Sequence, residues 1–346
     1  MLSILAAILL FGFIVFIHEL GHFLFAKLNG IGVVEFSIGM GPRIISKVVG
    51  DTRYSLKILP FGGSCMMLGE DEAETSEKAF NNKPVWGRIS VIAAGPVFNF
   101  ILAFLFAMII VSYIGHDYPI IEEIVADSAA EEAGLQPGDE ITKFNNRKVT
   151  SFSDVSLYLM SHPGEAIAVT YERDNQKHQT NLYPRYMEEY ESYKMGAVFQ
   201  PRRATTTAGE FLSASAYQIK FCVVSTFDSF RMIFRKQIAV DEAVGGPVRI
   251  VSAVGEDVTL SNEKGGLEAV FYTLSYWCML LSASLGLMNL LPIPALDGGR
   301  LVFLFIEVLR GKPLDAEKEA MVHMAGMMVL MTLMVLVLFN DLRNLF

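Results

Sequence analysis

Four long apolar segments divide the chain, and each is close to the length of a membrane span. They cover about residues 1–28, 89–112, 269–291 and 321–339. A hydrocarbon core of about 30 Å requires about 20 mainly apolar residues in a helix, so each segment is predicted to be a transmembrane helix. A secretory signal peptide is the alternative for the first segment, but no small-residue cleavage site follows it.

Composition and charge support a membrane protein. Of 346 residues, 52% are apolar and 19% are charged, whereas soluble chains average about 25% charged residues. The net charge of -9 excludes the basic surface that nucleic-acid binding requires, so no nucleic-acid partner is expected. Cys65, Cys222 and Cys278 are too widely separated for a disulfide framework or a zinc finger.

The distribution of basic residues predicts the orientation in the membrane. Lys and Arg are frequent in residues 29–88 and 300–318 but rare at both ends of the chain. The positive-inside rule therefore places these two loops in the cytoplasm and both termini outside the cell membrane. The long acidic region 115–268 is then extracytoplasmic.

The clearest chemical signal lies in the first apolar segment. His18-Glu19-Leu20-Gly21-His22 is an HExxH pattern, and on a helix its two imidazoles share one face, as a common metal ion requires. Glu19 could then act as a general base that takes a proton from water and passes it to the leaving amine. Chance occurrence of three fixed positions is the alternative, but ionisable residues inside a membrane are usually functional.

A third metal ligand is expected from the end of the third span. Asp297 follows two prolines and precedes two glycines, and irregular backbone at membrane depth is tolerated only where it is buried in protein or lines a wet cavity. Asp297 could instead cap a helix at the membrane surface. For Asn289, a hydrogen bond between helices and a contact with substrate are both open.

Together these motifs resemble the site-2 intramembrane zinc metalloproteases, specifically the bacterial RseP type. The similarity rests on HExxH, on Asn-x-x-Pro-x-Pro-x-Leu-Asp-Gly-Gly at residues 289–299, and on Gly95-Pro96-x-x-Asn99 in the second span. It covers nearly the whole chain. It implies that His18, His22 and Asp297 bind a zinc ion, that Glu19 is the catalytic base, and that the cut lies near the cytoplasmic side of the membrane.

The segment between the first two spans is predicted to form β-hairpins beside the metal-binding helix. Polar and apolar residues alternate over 53–58. A free strand edge could hold an extended substrate through main-chain hydrogen bonds. In the family this task is assigned to a membrane-associated β-loop and a Gly-Gly strand. The candidate substrate-binding residues of this segment are Phe61, Gly62 and Gly63. Asn99 of the second span and Asn289 of the third span are further candidates. A hairpin that only caps the helix bundle is the alternative.

The extracytoplasmic region begins with a predicted α+β module at 117–185. Residues 128–131 form a capping box that opens a short helix, and Gly134 ends it. The segment from Gly134 to Ile141 resembles the signature of bacterial, circularly permuted PDZ domains. Binding of a carboxyl terminus, exclusion of bulky ectodomains, or neither, all remain open as its role.

A charged, aromatic-rich segment at 209–236 is predicted to be an amphipathic helix in the membrane interface. A fifth crossing is the alternative. Of the remaining histidines, His116, His162 and His178 have no metal spacing, and His323 stands alone at the start of the fourth span, where a supporting role near the metal is a second possibility.

The predicted fold is thus a polytopic α-helical membrane protein with about four transmembrane helices, a membrane-associated β-hairpin region and an inserted extracytoplasmic PDZ domain. The predicted order is helix 1 with HExxH (1–28), the cytoplasmic-side β-loop region (29–88), helix 2 (89–115), the PDZ domain (117–185), a segment with an interfacial helix (186–268), helix 3 with the broken Asp-Gly-Gly motif (269–299), a cytoplasmic connection (300–320) and helix 4 (321–340).

The predicted function is that of a zinc endopeptidase in the bacterial inner or plasma membrane. Its expected partners are the lipid bilayer and single-span membrane protein substrates, which the family resemblance suggests are anti-sigma factors or remnant signal peptides. Two alternatives remain: another membrane zinc protease, such as a prenyl-protein endopeptidase, and a non-enzymatic scaffold that binds through its PDZ domain.

Overall fold

The computed structural model describes residues 2–70, 74–238, 245–314 and 316–345. The chain divides into two compact units, which consist of residues 1–107 with 239–346 and of residues 108–238. Besides two short 3-10 helices, the elements are α1 (Leu2–Leu28), β1 (Val33–Val49), β2 (Thr52–Met67), α2 (Val85–Ile114), β3 (Ile121–Ile124), α3 (Ala129–Glu132), β4 (Glu140–Phe144), β5 (Arg147–Lys148), α4 (Phe152–Ser161), β6 (Ile167–Arg173), β7 (Gln176–Leu182), β8 (Arg185–Met187), β9 (Ser192–Lys194), β10 (Ala197–Phe199), α5 (Ala208–Phe234), α6 (Pro247–Leu290), α7 (Asp297–Arg310) and α8 (Ala316–Leu345).

Four helices of the described chain are long and apolar enough to cross a membrane. They cover Ile4–Leu28, Val85–Ile114, Pro247–Leu290 and Lys318–Asp341. This agrees with the four spans predicted from the apolar pattern. The chain is therefore a multi-pass membrane protein by the length and composition of its helices.

Helix α6 is longer than the predicted third span because it consists of two helical stretches that meet at a glycine. Gly266 has non-helical dihedral angles with a φ of 64°, a conformation that glycine adopts without steric cost. The indole Nε1 of Trp277 donates a 2.9 Å hydrogen bond to Asp257, so the stretches before and after Gly266 lie side by side. The stretch before Gly266 packs against α1 through Val254, Val258 and Ala7.

Buried contacts hold the helices of the first unit together. Ile14 of α1, Leu102 of α2 and Cys278 of α6 share one apolar cluster. At the start of α2, Arg88 forms a buried ion pair with Glu307 of α7. An ion pair with so little exposure restrains the position of α7, because either charge alone would be costly to bury.

The end of α8 is tied to the start of α6. The carboxylate of Asp341 accepts hydrogen bonds of 3.1 Å from the backbone N–H groups of Gly246, Val248 and Arg249. These N–H groups have no partner inside a helix, so a carboxylate from another helix caps them.

Strands β1 and β2 form a small curled sheet next to α1. Phe36 pairs with both Tyr54 and Cys65, so β2 lies on both sides of β1. In the described register, residues 63–67 pair only with β1. An added Cβ on Gly63 would lie 3.2 Å from Cγ of Glu19, which places this edge of the sheet directly against the HExxH helix.

The second unit contains both strands and helices, as predicted for the α+β module at 117–185, and α3 follows the predicted capping residue Ser128. Its main sheet has the order β5-β4-β6-β7, and Ile141, Phe144, Ile167 and Val169 are fully buried in its core. Strand β10 at 197–199 lies beyond the predicted module boundary at 185 and pairs with β3. Backbone groups of β3 are satisfied partly by these later residues and partly by Gly138 and Asp139.

Helix α5 occupies the region predicted to be amphipathic, and it packs on the rest of its own unit. Asp228 forms an ion pair with Arg147, and Glu210 accepts a hydrogen bond from Tyr118. This helix is not among the four described helices that are apolar enough to cross a membrane. A fifth crossing therefore has no support in its composition.

Candidate metal centre

Helix α1 brings two histidines to one point. His18 and His22 are one turn apart, and both are buried, with 7% and 6% of their surface exposed. Their Nε2 atoms are 3.1 Å apart. The i,i+4 spacing of a helix is sufficient to place both imidazoles on the same face.

Asp297 approaches this pair from a distant part of the chain. It is the first residue of α7, and it follows the broken segment that contains Pro292 and Pro294. Its Oδ2 atom lies 3.1 Å from Nε2 of His18 and 3.4 Å from Nε2 of His22. The structure therefore joins the three predicted ligands in one cluster.

The orientation of His22 is set by the backbone of α2. Nδ1 of His22 lies 2.9 Å from the carbonyl oxygen of Val91, and a carbonyl can only accept. Nδ1 therefore carries the proton, and Nε2 presents a lone pair toward His18 and Asp297. A metal-ligating histidine usually donates its other ring N–H in this way.

Asn99, which like Val91 lies on α2, contacts His18 of α1. Its side-chain amide lies 3.2 Å from Nδ1 of His18. Rotation of the amide by 180° places its oxygen toward the ring, so that Nδ1 of His18 can donate a hydrogen bond to it. Nε2 of His18 then has a lone pair for a metal. The backbone carbonyl of Asn99 accepts a 2.9 Å hydrogen bond from Ser282 of α6, so a third helix steadies this contact.

Close approach of α1 and α2 depends on a glycine. An added Cβ on Gly95 would lie 2.6 Å from Cε1 of His22 and 2.8 Å from Cε1 of His18. Such distances are far below ordinary carbon contacts. Any larger residue at position 95 would displace both imidazoles.

The cluster fits a divalent cation. Oδ2 of Asp297 is buried and has no hydrogen-bond partner within the described residues. Three lone pairs that converge without a proton repel one another unless a cation lies between them. Two ligands about 2.0–2.1 Å from a tetrahedral zinc ion lie about 3.3 Å apart, which matches the observed separations. Two imidazoles and one carboxylate also leave one position open, as a catalytic zinc site requires.

A cavity of about 590 Å³ opens on the cluster. Its lining includes Glu19 beside His18 and the strand residues Gly63, Ser64 and Cys65. A peptide that pairs with this strand edge would pass the carboxylate of Glu19. The cavity therefore has room for an extended peptide next to the carboxylate of Glu19.

The structure places the other predicted substrate residues differently. Asn99 is fully buried and contacts His18, so it offers no surface to a substrate. Asn289 is partly buried near the end of α6 and is not among the described residues that line the cavity. Gly62 lies in the same strand, one residue before Gly63, with a φ of 82°, while the side chain of Phe61 lies outside the described part of the chain.

The opposite wall of the cavity carries a polar group, of which sequence reasoning considered only His323, as a second possibility near the metal. Glu70, Arg300 and His323 line the same cavity, and Arg300 forms an ion pair with Glu70. Arg300 follows Asp297 by three residues, so a helix predicted from Asp297 onward would have placed it on the same face. Glu70 carries no local signal for this position.

The chain is similar to known metalloproteases over most of its length. The model of Peptidase family M50 matches residues 6–333. The regulator of sigma-W protease RasP of Bacillus subtilis is 32% identical and aligns over 99% of each chain. The zinc metalloproteases RasP of Shouchella clausii and Bacillus licheniformis are 32% and 30% identical, again over 99% of each chain.

The solved structures that are similar to part of this chain include a PDZ domain. The PDZ domain of the SdrC-like protein from Listeria monocytogenes is 18% identical, and the match covers 24% of this chain and 88% of that domain, with a TM-score of 0.22.

Proposed function

This chain belongs to peptidase family M50, and from that premise we propose that it is an intramembrane zinc endopeptidase. It hydrolyses a peptide bond within a transmembrane helix of another membrane protein, or at the cytoplasmic edge of that helix. The main support is the convergence of His18 and His22, which lie within the first apolar helix, with Asp297 on one point.

The proposed ligands of the zinc ion are Nε2 of His18, Nε2 of His22 and Oδ2 of Asp297. A bound zinc ion supplies Lewis acidity, which polarises the substrate carbonyl and acidifies water. Glu19 takes a proton from the attacking water as the new carbon–oxygen bond forms. It then passes that proton to the amine as the carbon–nitrogen bond breaks, which yields a carboxylic acid and an amine.

The substrate is proposed to lie as an added strand against residues 63–65. A transmembrane helix must unwind there, because its peptide bonds are otherwise hydrogen-bonded and shielded. The edge of β2 offers replacement main-chain partners beside Glu19. Among the candidate contacts, Gly62, Gly63 and Phe61 belong to this strand, and Asn289 is a candidate contact from α6.

We further propose that the loops at 29–88 and 300–320 face the cytoplasm of a bacterium and that both termini lie outside. The charge distribution supports this orientation. The second unit is then an extracytoplasmic PDZ domain, as the segment from Gly134 to Ile141 suggests, and it influences which substrates reach the membrane site. Single-span proteins such as anti-sigma factors, or remnant signal peptides, are the proposed substrates, in keeping with the name of the Bacillus subtilis relative.

Two measurements on purified protein in detergent test the proposal. The parent protein is expected to bind one zinc ion per chain, and His22→Ala and Asp297→Ala are expected to lose it. Glu19→Gln is expected to keep the zinc ion but to lose cleavage of a model transmembrane substrate by at least about 10³-fold, because the general base is absent.

Other results would point elsewhere. Equal cleavage by the parent and Glu19→Gln would remove Glu19 from the mechanism. Cleavage of lipidated carboxyl-terminal peptides alone would favour a prenyl-protein endopeptidase. A parent that cleaves no membrane segment, but binds peptides through its second unit, would favour a scaffold.

A further inference from the structure

We propose that α8 positions the metal ligand Asp297 by holding the chain on both sides of it. His323 and Gly326 are the positioning residues. The inference rests on the proposed function, since it assigns a role toward the same metal site. It concerns a helix that contributes no ligand.

The chain before Asp297 is held in an unfavourable conformation. Ala295 has a φ of 78°, in the left-handed region that residues with a Cβ rarely adopt. Such backbone persists only where its surroundings determine it. Since Ala295 is two residues from the ligand, release of this conformation would redirect the Asp297 carboxylate.

Gly326 brings the backbone of α8 against this segment. An added Cβ on Gly326 would lie 2.7 Å from both the carbonyl carbon and the carbonyl oxygen of Pro294. The contact therefore joins helix backbone to loop backbone. The backbone of Pro294 can move little, because the proline ring restricts its φ angle.

His323, one turn earlier on the same face of α8, contacts both flanks of the ligand. Its Nδ1 lies 3.4 Å from the backbone nitrogen of Ala295; this is a packing contact, because Nδ1 carries the ring proton when Nε2 accepts a hydrogen bond. Its Nε2 accepts a 2.9 Å hydrogen bond from Nε of Arg300. Arg300 also forms an ion pair with Glu70, which connects α8 and α7 to the end of β2.

These contacts involve residues on both sides of Asp297 in the chain. Pro294 and Ala295 precede Asp297, Arg300 follows it by one helical turn, and all three meet the same turn of α8. Most described residues of α8 are exposed; those with reduced exposure are at 319, 323, 326, 330, 337 and 340, and Asp341 is buried. The turn with His323 and Gly326 is thus where this helix can act on the metal site.

The experiment measures zinc retention and compares matched variants. Parent, His323→Leu, His323→Gln, Gly326→Ala, Asp297→Ala and Met331→Leu are purified and dialysed against graded chelator, and bound zinc per chain and cleavage of a transmembrane substrate are measured. Met331 is exposed and does not line the cavity, so Met331→Leu is the control for a change in α8.

We expect His323→Leu and Gly326→Ala to lose zinc at chelator concentrations about 10- to 100-fold lower than the parent, as loss of a group that orients a ligand does. His323→Gln should retain zinc, because its amide oxygen can accept from Arg300. Met331→Leu should match the parent.

Several outcomes would overturn the inference, and they are distinguishable from failure of the proposed function. If Asp297→Ala loses zinc while His323→Leu and Gly326→Ala retain it, α8 does not position the ligand, and the metal site stands. If His323→Gln loses zinc as readily as His323→Leu, the hydrogen bond from Arg300 has no role in positioning. If Asp297→Ala retains zinc, the site itself is wrong. Should His323→Leu fail to fold, Gly326→Ala decides by the same measurement.

Discussion

Nδ1 of His22 donates a 2.9 Å hydrogen bond to the backbone carbonyl of Val91. Val91 lies one turn before Gly95 on α2, and the missing side chain of Gly95 allows the two helices to approach closely enough for this bond. A backbone group thus selects the tautomer of a proposed metal ligand. No side-chain substitution at Val91 can remove that acceptor, but an added methyl group at Gly95 can move it.

Gly95→Ala is therefore expected to damage the metal site. The new Cβ would collide with both imidazoles, so we expect zinc affinity and substrate cleavage to fall at least about 10-fold. Zinc titration of the purified variant measures the effect. Val97→Ala, at an exposed position two residues away, is the control, and wild-type affinity in Gly95→Ala would contradict the packing argument.

Substitution of Asn99 separates a hydrogen-bonding role from a packing role. Asn99→Asp retains an oxygen that can accept from Nδ1 of His18, so zinc binding should be preserved. Asn99→Leu fills a similar volume without an acceptor and should weaken zinc binding about 10- to 100-fold. Chelator competition measures both variants. Equal zinc loss in the two would show that the amide oxygen is not what His18 requires.

The ion pair between Arg88 and Glu307 predicts a non-additive pair of variants. Both side chains are largely buried, with 10% and 14% exposure. Arg88→Met leaves an unpaired buried carboxylate and should destabilise the protein by about 3–5 kcal/mol. The double variant Arg88→Met with Glu307→Met should recover most of that loss. Thermal unfolding in detergent measures it, and additive losses would contradict the pairing.

Acid should weaken the sheet formed by β1 and β2. Arg43 donates hydrogen bonds of 2.8 and 2.7 Å to the Glu35 carboxylate, which lowers the pKa of Glu35 from its ordinary 4.5 to about 2. The depressed pKa means that this stabilisation is complete above pH 4.5 and is lost as the pH falls toward 2.

Hydrogen exchange of β1 amides at pH 5 and pH 3, expressed as protection, checks this prediction. Protection should fall with pH in the parent. It should change less in Arg43→Gln, because that variant lacks the guanidinium that holds the carboxylate ionised. The same dependence on pH in both proteins would exclude the Glu35–Arg43 pair as its cause.

Local patterns predicted much of this molecule. The four apolar helices follow from runs of apolar residues, and the shared face of His18 and His22 follows from helical spacing, because both depend only on neighbours in the chain. Strand β10 lies beyond 185, the predicted end of the module, and its pairing with β3 could not be predicted because it joins residues that are far apart in sequence. Asn99 was expected to contact substrate, whereas the structure buries it against His18.

The candidate ligands and the candidate base could be identified from the sequence, because HExxH and the broken Asp-Gly-Gly segment carry that chemistry within a few positions. The folded structure was needed to show that Asp297 reaches both imidazoles and that Val91 and Asn99 orient them. It was also needed to show that His323 and Arg300 line the opposite wall of the cavity. These relations depend on the axial position and rotation of packed helices. Backbone contacts such as that at Gly95 set them, and they leave no periodic signal in the chain.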